Sequence, residues 1–186
     1  MLYLRLILVS CLIAFGVGQA VSAQEAQSSS VRSPVLVIDT DLVFNGSLFG
    51  QRVLADVASR VAELEQENIE IVAQLTAEES ALAEQRSTMS AEDFRAAAEV
   101  FEAKTESFRT SQQIREDEIN AYLSAAREQF DRSSRPILGQ LMREREAAVL
   151  LSRRDVLLYF AAVDVTEEAI VAIDNILGDG SQTDER

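Results

Sequence analysis

Apolar positions recur with a helical period on both sides of a short polar break, Ser87-Thr88-Met89-Ser90. Before the break, Val57, Val61, Leu64, Asn68, Ile71, Leu75, Glu78 and Leu82 alternate spacings of four and three. After it, Phe94, Phe101 and Phe108 fall seven apart, and Arg115 and Tyr122 continue the row. Such spacing keeps one face of a helix in line and is the seam pattern of a coiled coil. Folding the chain back at the break makes a long antiparallel hairpin, with Leu82 near Phe94, Leu75 near Phe101 and Asn68 near Phe108. The near side, 57–86, is about 30 residues, so the arm extends roughly 45 Å at 1.5 Å per residue.

The pattern changes at both ends of this arm. Pro34 opens Val35-Leu36-Val37-Ile38-Asp39, a short apolar run that reads as a buried strand. Residues 41–44 allow one helical turn before Asn45-Gly46. Ser47 is the expected N-cap of the first long helix, which runs to about residue 86. Ser90 caps the second, with Glu92 and Asp93 favourably placed in its first turn. That second helix spans 91 to about 145, and Pro136 inside it predicts a kink. Ile137, Leu138 and Leu141 mark its return to a packed body. Residues 147–151 and 156–160 are continuous apolar runs around Ser152-Arg153-Arg154-Asp155, the pattern of a hairpin of buried strands. Asp164, with Glu167 three residues on, predicts a capping-box-like start to a final helix, so Asp164 and Thr166 form its structural cap. Ala169, Ile170, Ile173, Ile176 and Leu177 give its apolar face, and Gly178 ends it. The fold class is therefore α+β, mostly α: a small β body carrying a long helical hairpin. Three strands totalling about 15 residues make a poor core with open edges, so self-association follows.

The chain begins with a different signal. Arg5 precedes an apolar run over 6–17 and small residues up to Val21-Ser22-Ala23, the layout of a cleavable secretory leader, 1–23. The run is short for a bilayer span; the alternative is an uncleaved anchor. Leu8-Val9-Ser10-Cys11 matches a lipoprotein box, but Cys11 sits inside the apolar run, and the match is set aside. Cleavage leaves 163 residues and removes the only cysteine. Residues 24–34 form a polar, flexible spacer.

Composition narrows the chemistry. There is no His and no Trp, which removes the side chain best placed to exchange protons near neutral pH. No Ser/His/Asp or Cys/His set and no Gly-rich phosphate loop exists, and paired acids such as Glu78-Glu79 do not face each other on a helix. No enzyme, cofactor or metal is expected. The mature chain has 31 Asp and Glu against 16 Arg and Lys, a balance of −15. That argues against nucleic acid and against anionic lipid surfaces. Charge is uneven: residues 127–154 hold seven Arg against Glu128, Asp131, Glu144 and Glu146.

Thr105, Gln112 and Arg115 stand where Leu would make a tighter seam, so the arm is able to splay at its middle. A two-helix hairpin cannot wrap large aromatics fully. Leu75, Leu82, Phe94, Phe101 and Phe108 are therefore candidate client-contacting residues as well as seam residues. The plainer alternative is that they only fill the seam.

Over residues 35–178 the chain resembles the Skp/OmpH family of periplasmic chaperones. The resemblance is carried by the opening strand with Asp39, Leu48-Phe49-Gly50-Gln51, Glu67-Asn68 to Leu75, and Phe94-Arg95 to Phe101. Pro136 with Leu138, the strand pair, and Val163-Asp164-Val165-Thr166 complete it. The resemblance implies one domain, with a body of 35–50 and 137–178, an arm of 51–136, and a loose tail of 179–186. It also implies a jellyfish-shaped homotrimer whose arms enclose unfolded outer-membrane β-barrel proteins without ATP. The best-known members of the family are strongly basic and this chain is acidic, so lipopolysaccharide binding does not carry over directly, and the Arg127 to Arg154 cluster keeps only a reduced version of it open. The competing reading is a structural coiled-coil scaffold or adaptor of the envelope, membrane-anchored if the leader is retained.

Overall fold

The computed structural model describes residues 34–181. The expected leader and all of the expected spacer except Pro34 lie outside the described residues, as do residues 182–186 of the expected tail. The first strand, β1 (Val35–Ile38), is buried from its second residue on. Asp39 ends it and caps α1 (Thr40–Gly46), its carboxylate accepting from the N–H groups of Asp41 and Leu42 at 3.1 and 3.0 Å. Ser47, fully buried, joins two helices through one hydroxyl. It donates to the Phe44 carbonyl at 2.9 Å and accepts from the Gly50 N–H at 3.1 Å. That second bond is the N-cap of α2 (Leu48–Gln85). Residue 50 must be glycine, because a Cβ there would lie 1.7 Å from the Phe44 carbonyl oxygen.

After the tip, α3 (Ala91–Glu144) starts at Ser90, whose hydroxyl accepts from the Asp93 N–H at 3.1 Å. It continues through Pro136, which supplies no N–H to the Arg132 carbonyl. The chain then forms β2 (Val149–Ser152), two short turns of 3₁₀ helix, and α4 (Thr166–Leu177). β2 lies parallel to β1, with Val35 opposite Val149 and Ile38 opposite Ser152. Parallel strands need a crossover connection, and here α1 and the whole α2–α3 hairpin are that crossover.

The expected hairpin of buried strands is corrected on this point. Only 149–152 is a strand, and it pairs with β1 rather than with the following run. Residues 156–160 form no strand, and Leu157, Leu158 and Phe160 are 103, 87 and 85 % exposed. The physical reason lies in the connection: Arg153–Asp155 forms a 3₁₀ turn that Arg153 and Arg154 tie to Asp39 and Asp41, so the chain leaves β2 instead of folding back along it, and the other edge of β1 is taken. The Val165 N–H donates to the Val37 carbonyl at 2.9 Å, and Val37 makes a parallel bridge to Asp164.

The core sits where these ends meet. Leu36, Ile38, Val43, Phe44, Phe49 and Val53 pack with Ala126, Phe130, Ile137 and Leu141 of α3 and with Val165, Ala169 and Ile173. Phe130 is its hub, edge-on to Phe44 at 5.2 Å and tilted against Phe49 at 5.5 Å. The start of the expected loose tail is held to this body. Arg52 Nε donates to the Asp179 carbonyl at 2.7 Å, and its guanidinium lies 5.2 Å from the Phe49 ring centre. Gly180, at φ +76°, is buried against the same ring.

Candidate functional site

The α2–α3 arm is antiparallel, as three sets of cross-arm contacts show. Nearest the tip, Lys104 pairs with Glu78. Further down, Arg115 makes a two-pronged bond to Glu67 at 2.6 and 3.1 Å. Near the body, the Tyr122 hydroxyl donates to Asp56 at 2.8 Å, and Arg60 lies 4.4 Å from the Tyr122 ring centre. Burial, followed by that bond to Asp56, pushes the Tyr122 hydroxyl pKa up. The row of Phe positions thus continues past Phe108, but as an ion pair and a clamped phenol.

All five candidate contact residues, Leu75, Leu82, Phe94, Phe101 and Phe108, are half-buried. At the tip, the Arg86 guanidinium covers one side of Phe94, 5.1 Å from the ring centre. Between Leu64 and Ala126 no residue is buried. The distal arm is therefore two helices sharing a partly wet seam rather than a packed core. Its outer faces add exposed Ile69, Val72, Val100 and Ile114. A shallow cavity of about 590 Å³ opens beside Phe101 and Thr105, rimmed by Glu99, Glu102, Glu106 and Arg109. Another of about 470 Å³ lies at the tip, between Arg86, Met89, Phe94 and Arg95.

The seam also buries polar atoms. The side-chain oxygens of Asn68 and Gln112 are buried with no hydrogen-bond partner among the described residues. A buried acceptor left without a donor costs about 1–3 kcal/mol, so these two positions weaken the middle of the arm. Among the described residues, no three His, Cys, Asp or Glu side chains group as a metal site. No helix there is long and apolar enough to cross a membrane.

At the base of the arm, Asp164 does not occupy the N-cap of α4. Val165 does, without a side-chain cap bond. The Asp164 carboxylate instead accepts from the Thr166 N–H at 3.0 Å and the Thr166 hydroxyl at 2.6 Å. It also accepts from the Tyr159 hydroxyl at 3.0 Å. Thr166 Oγ1 in turn accepts from the Asp39 N–H at 2.9 Å, tying the start of α4 to the end of β1. Burial pushes the Asp164 pKa up, but the Thr166 and Tyr159 bonds and the Arg153 charge outweigh it and hold the carboxyl below its usual range.

Sequence reasoning missed what the arginine-rich stretch does. Arg153 and Arg154 pair with Asp39 and Asp41, and Arg145 pairs with Glu168. Arg127 lies 3.9 Å from Asp41 and stacks 4.3 Å from the Phe44 ring centre. These cations join body elements that lie far apart in sequence. No local spacing signals that, because the partners come from across the body.

The OmpH-like outer membrane protein family model matches residues 34–173. No curated protein matches the chain. Among solved structures, a crystal structure from Caulobacter crescentus CB15, described as a candidate outer membrane chaperone (OmpH-like), aligns with a TM-score of 0.72 at 22 % identity. The match covers 78 % of this chain and 86 % of that one, and it shows a shared architecture. With the family model spanning body and arm together, the chain belongs to the OmpH-like outer membrane protein family.

Proposed function

We propose that the protein is an ATP-independent holdase chaperone of the periplasm, which binds unfolded outer-membrane β-barrel proteins between helical arms and keeps them from aggregating. The observation that carries this reading is the distal arm, 65–125, where none of 61 residues is buried and Phe94, Phe101 and Phe108 are half-buried. Such a surface offers apolar contact without a fixed shape, which suits chains that have none. The OmpH-like family and the Caulobacter relative described as a candidate outer membrane chaperone support it.

The working form would be a homotrimer. The supporting observation is the bare apolar edge of the body: Val149 and Leu151 on β2, then Leu157, Leu158 and Phe160, all exposed in the single chain. Copies of the same body can cover that edge. Lipopolysaccharide is not a proposed ligand, because the chain carries a charge of −14 and Arg127, Arg145, Arg153 and Arg154 are paired with acids of the body. No step calls for a cofactor or a catalytic residue.

The test is refolding of a β-barrel substrate with the protein present and no nucleotide. Aggregation should fall once trimer exceeds substrate. Unchanged aggregation at that excess would defeat the proposal and favour an envelope scaffold. Sedimentation at micromolar concentration should show three copies, and a stable monomer would contradict the shared-body reading.

A further inference from the structure

The two cross-arm ion pairs obey one geometry. Glu67 and Glu78 lie eleven residues apart on α2, and Lys104 and Arg115 lie eleven apart on α3. Eleven residues are close to three whole helical turns, so both pairs stand on the same flank of the seam. On the opposite flank, helical spacing places Val72 on α2 and Glu102 and Arg109 on α3. Among the described residues no ion pair crosses the arm there; the cavity beside Phe101 and Thr105 is lined by α3 alone, and a cavity lined by both helices, at Arg60, Leu64, Arg115 and Ile119, lies on the paired flank.

Asn68 and Gln112 sit within one turn of the Glu67–Arg115 pair, with their side-chain oxygens buried and unbonded among the described residues. Parting the helices at this layer gives both oxygens to water, and it uncovers no fully buried apolar side chain. The seam itself therefore offers little resistance to opening at mid-arm. What resistance remains is concentrated on the ion-paired flank.

We propose that each arm is itself a hinged clamp. Its two helices swing apart at the Asn68–Gln112 layer about the flank held by Glu67–Arg115 and Glu78–Lys104. The Val72, Phe101 and Thr105 flank opens to admit an extended apolar segment of an unfolded client. The identity of the occupant rests on the holdase reading; the motion does not.

The test is a pair of spin-label distance measurements on the full chain without client, with Cys11 replaced by Ser. Labels at Val72→Cys and Arg109→Cys report the free flank, and labels at Glu63→Cys and Glu118→Cys report the paired flank. The free-flank distribution should be about twofold broader than the paired-flank one. Adding Asn68→Leu and Gln112→Leu should narrow the free flank toward the paired width, while Glu67→Gln with Glu78→Gln should broaden the paired flank. Circular dichroism and sedimentation identify any variant that fails to fold, and Asn68→Leu alone then replaces the double change. Equal widths on both flanks, or a free flank that ignores the seam substitutions, would overturn the hinge. Neither result touches the holdase proposal, and a failed refolding assay would leave the hinge standing.

Discussion

The molecule uses phenylalanine in two opposite ways. In the body, Phe44, Phe49 and Phe130 are 2, 2 and 3 % exposed, and Phe130 touches both of the others across three helices. In the arm, Phe94, Phe101 and Phe108 share one seam between two helices and stay half-buried. Side-chain chemistry is the same in both places, and the number of surrounding elements makes the difference. Strand, helices and returning chain enclose a ring in the body, whereas a lone hairpin always leaves a flank to solvent. The body is therefore built for uniqueness and the arm for adaptable contact.

The contrast can be broken most directly at the hub of the body. Phe130→Ala should cost about 3–5 kcal/mol by leaving a cavity among rings that cannot collapse. Denaturant unfolding should show it as a lower midpoint with most of the stability gone. Gly50→Ala comes next. Its methyl meets the Phe44 carbonyl oxygen at 1.7 Å, and a backbone shift of that kind should cost about 1–3 kcal/mol. If either substitution leaves the unfolding midpoint unmoved, the body is not the rigid half of the molecule.

Changes in the arm should move stability least and function most. Phe101→Ser with Phe108→Ser should shift the unfolding midpoint only slightly and preserve the oligomer, while client retention falls. Loss of oligomer and grip together would reduce those rings to a structural role. Acidification tests the junction of arm and body. The Asp164 pKa is held down in the folded protein, so its contribution is present above the ordinary carboxyl value of about 3.9 and is lost as pH falls through the folded value. Protection of the amides at the start of α4, relative to their intrinsic exchange, should fall below about pH 4 and be unchanged from pH 5 to 8. In Asp164→Asn that acid-dependent step should disappear.

Much of this was legible in the sequence. Ser47 and Ser90 announced the starts of α2 and α3, because a cap is a local bond over three residues. The seam was legible because helical spacing alone decides which residues share a face. The errors came where a partner was remote. Residues 156–160 read as the return strand of a hairpin, but the turn before them is tied to Asp39 and Asp41 by Arg153 and Arg154, and the second edge of β1 is taken by Asp164 and Val165. Asp164 read as a plain helix cap, yet it bridges Tyr159 and Thr166, and Thr166 reaches Asp39 across 127 positions of chain. Residues 179–181 read as loose tail for want of any apolar side chain, and it is Arg52 and the Phe49 ring that hold them.

The sequence by itself determined the two long helices, the tip between them and the weak, polar middle of their seam, since period and capping act over a few residues. Only the tertiary structure decided that β1 and β2 run parallel with the arm as their crossover. It also decided that Arg127, Arg145, Arg153 and Arg154 pair with acids from across the body, and that both cross-arm ion pairs fall on one flank. Those outcomes depend on which distant groups arrive at the same place, and chain closure settles that rather than local pattern.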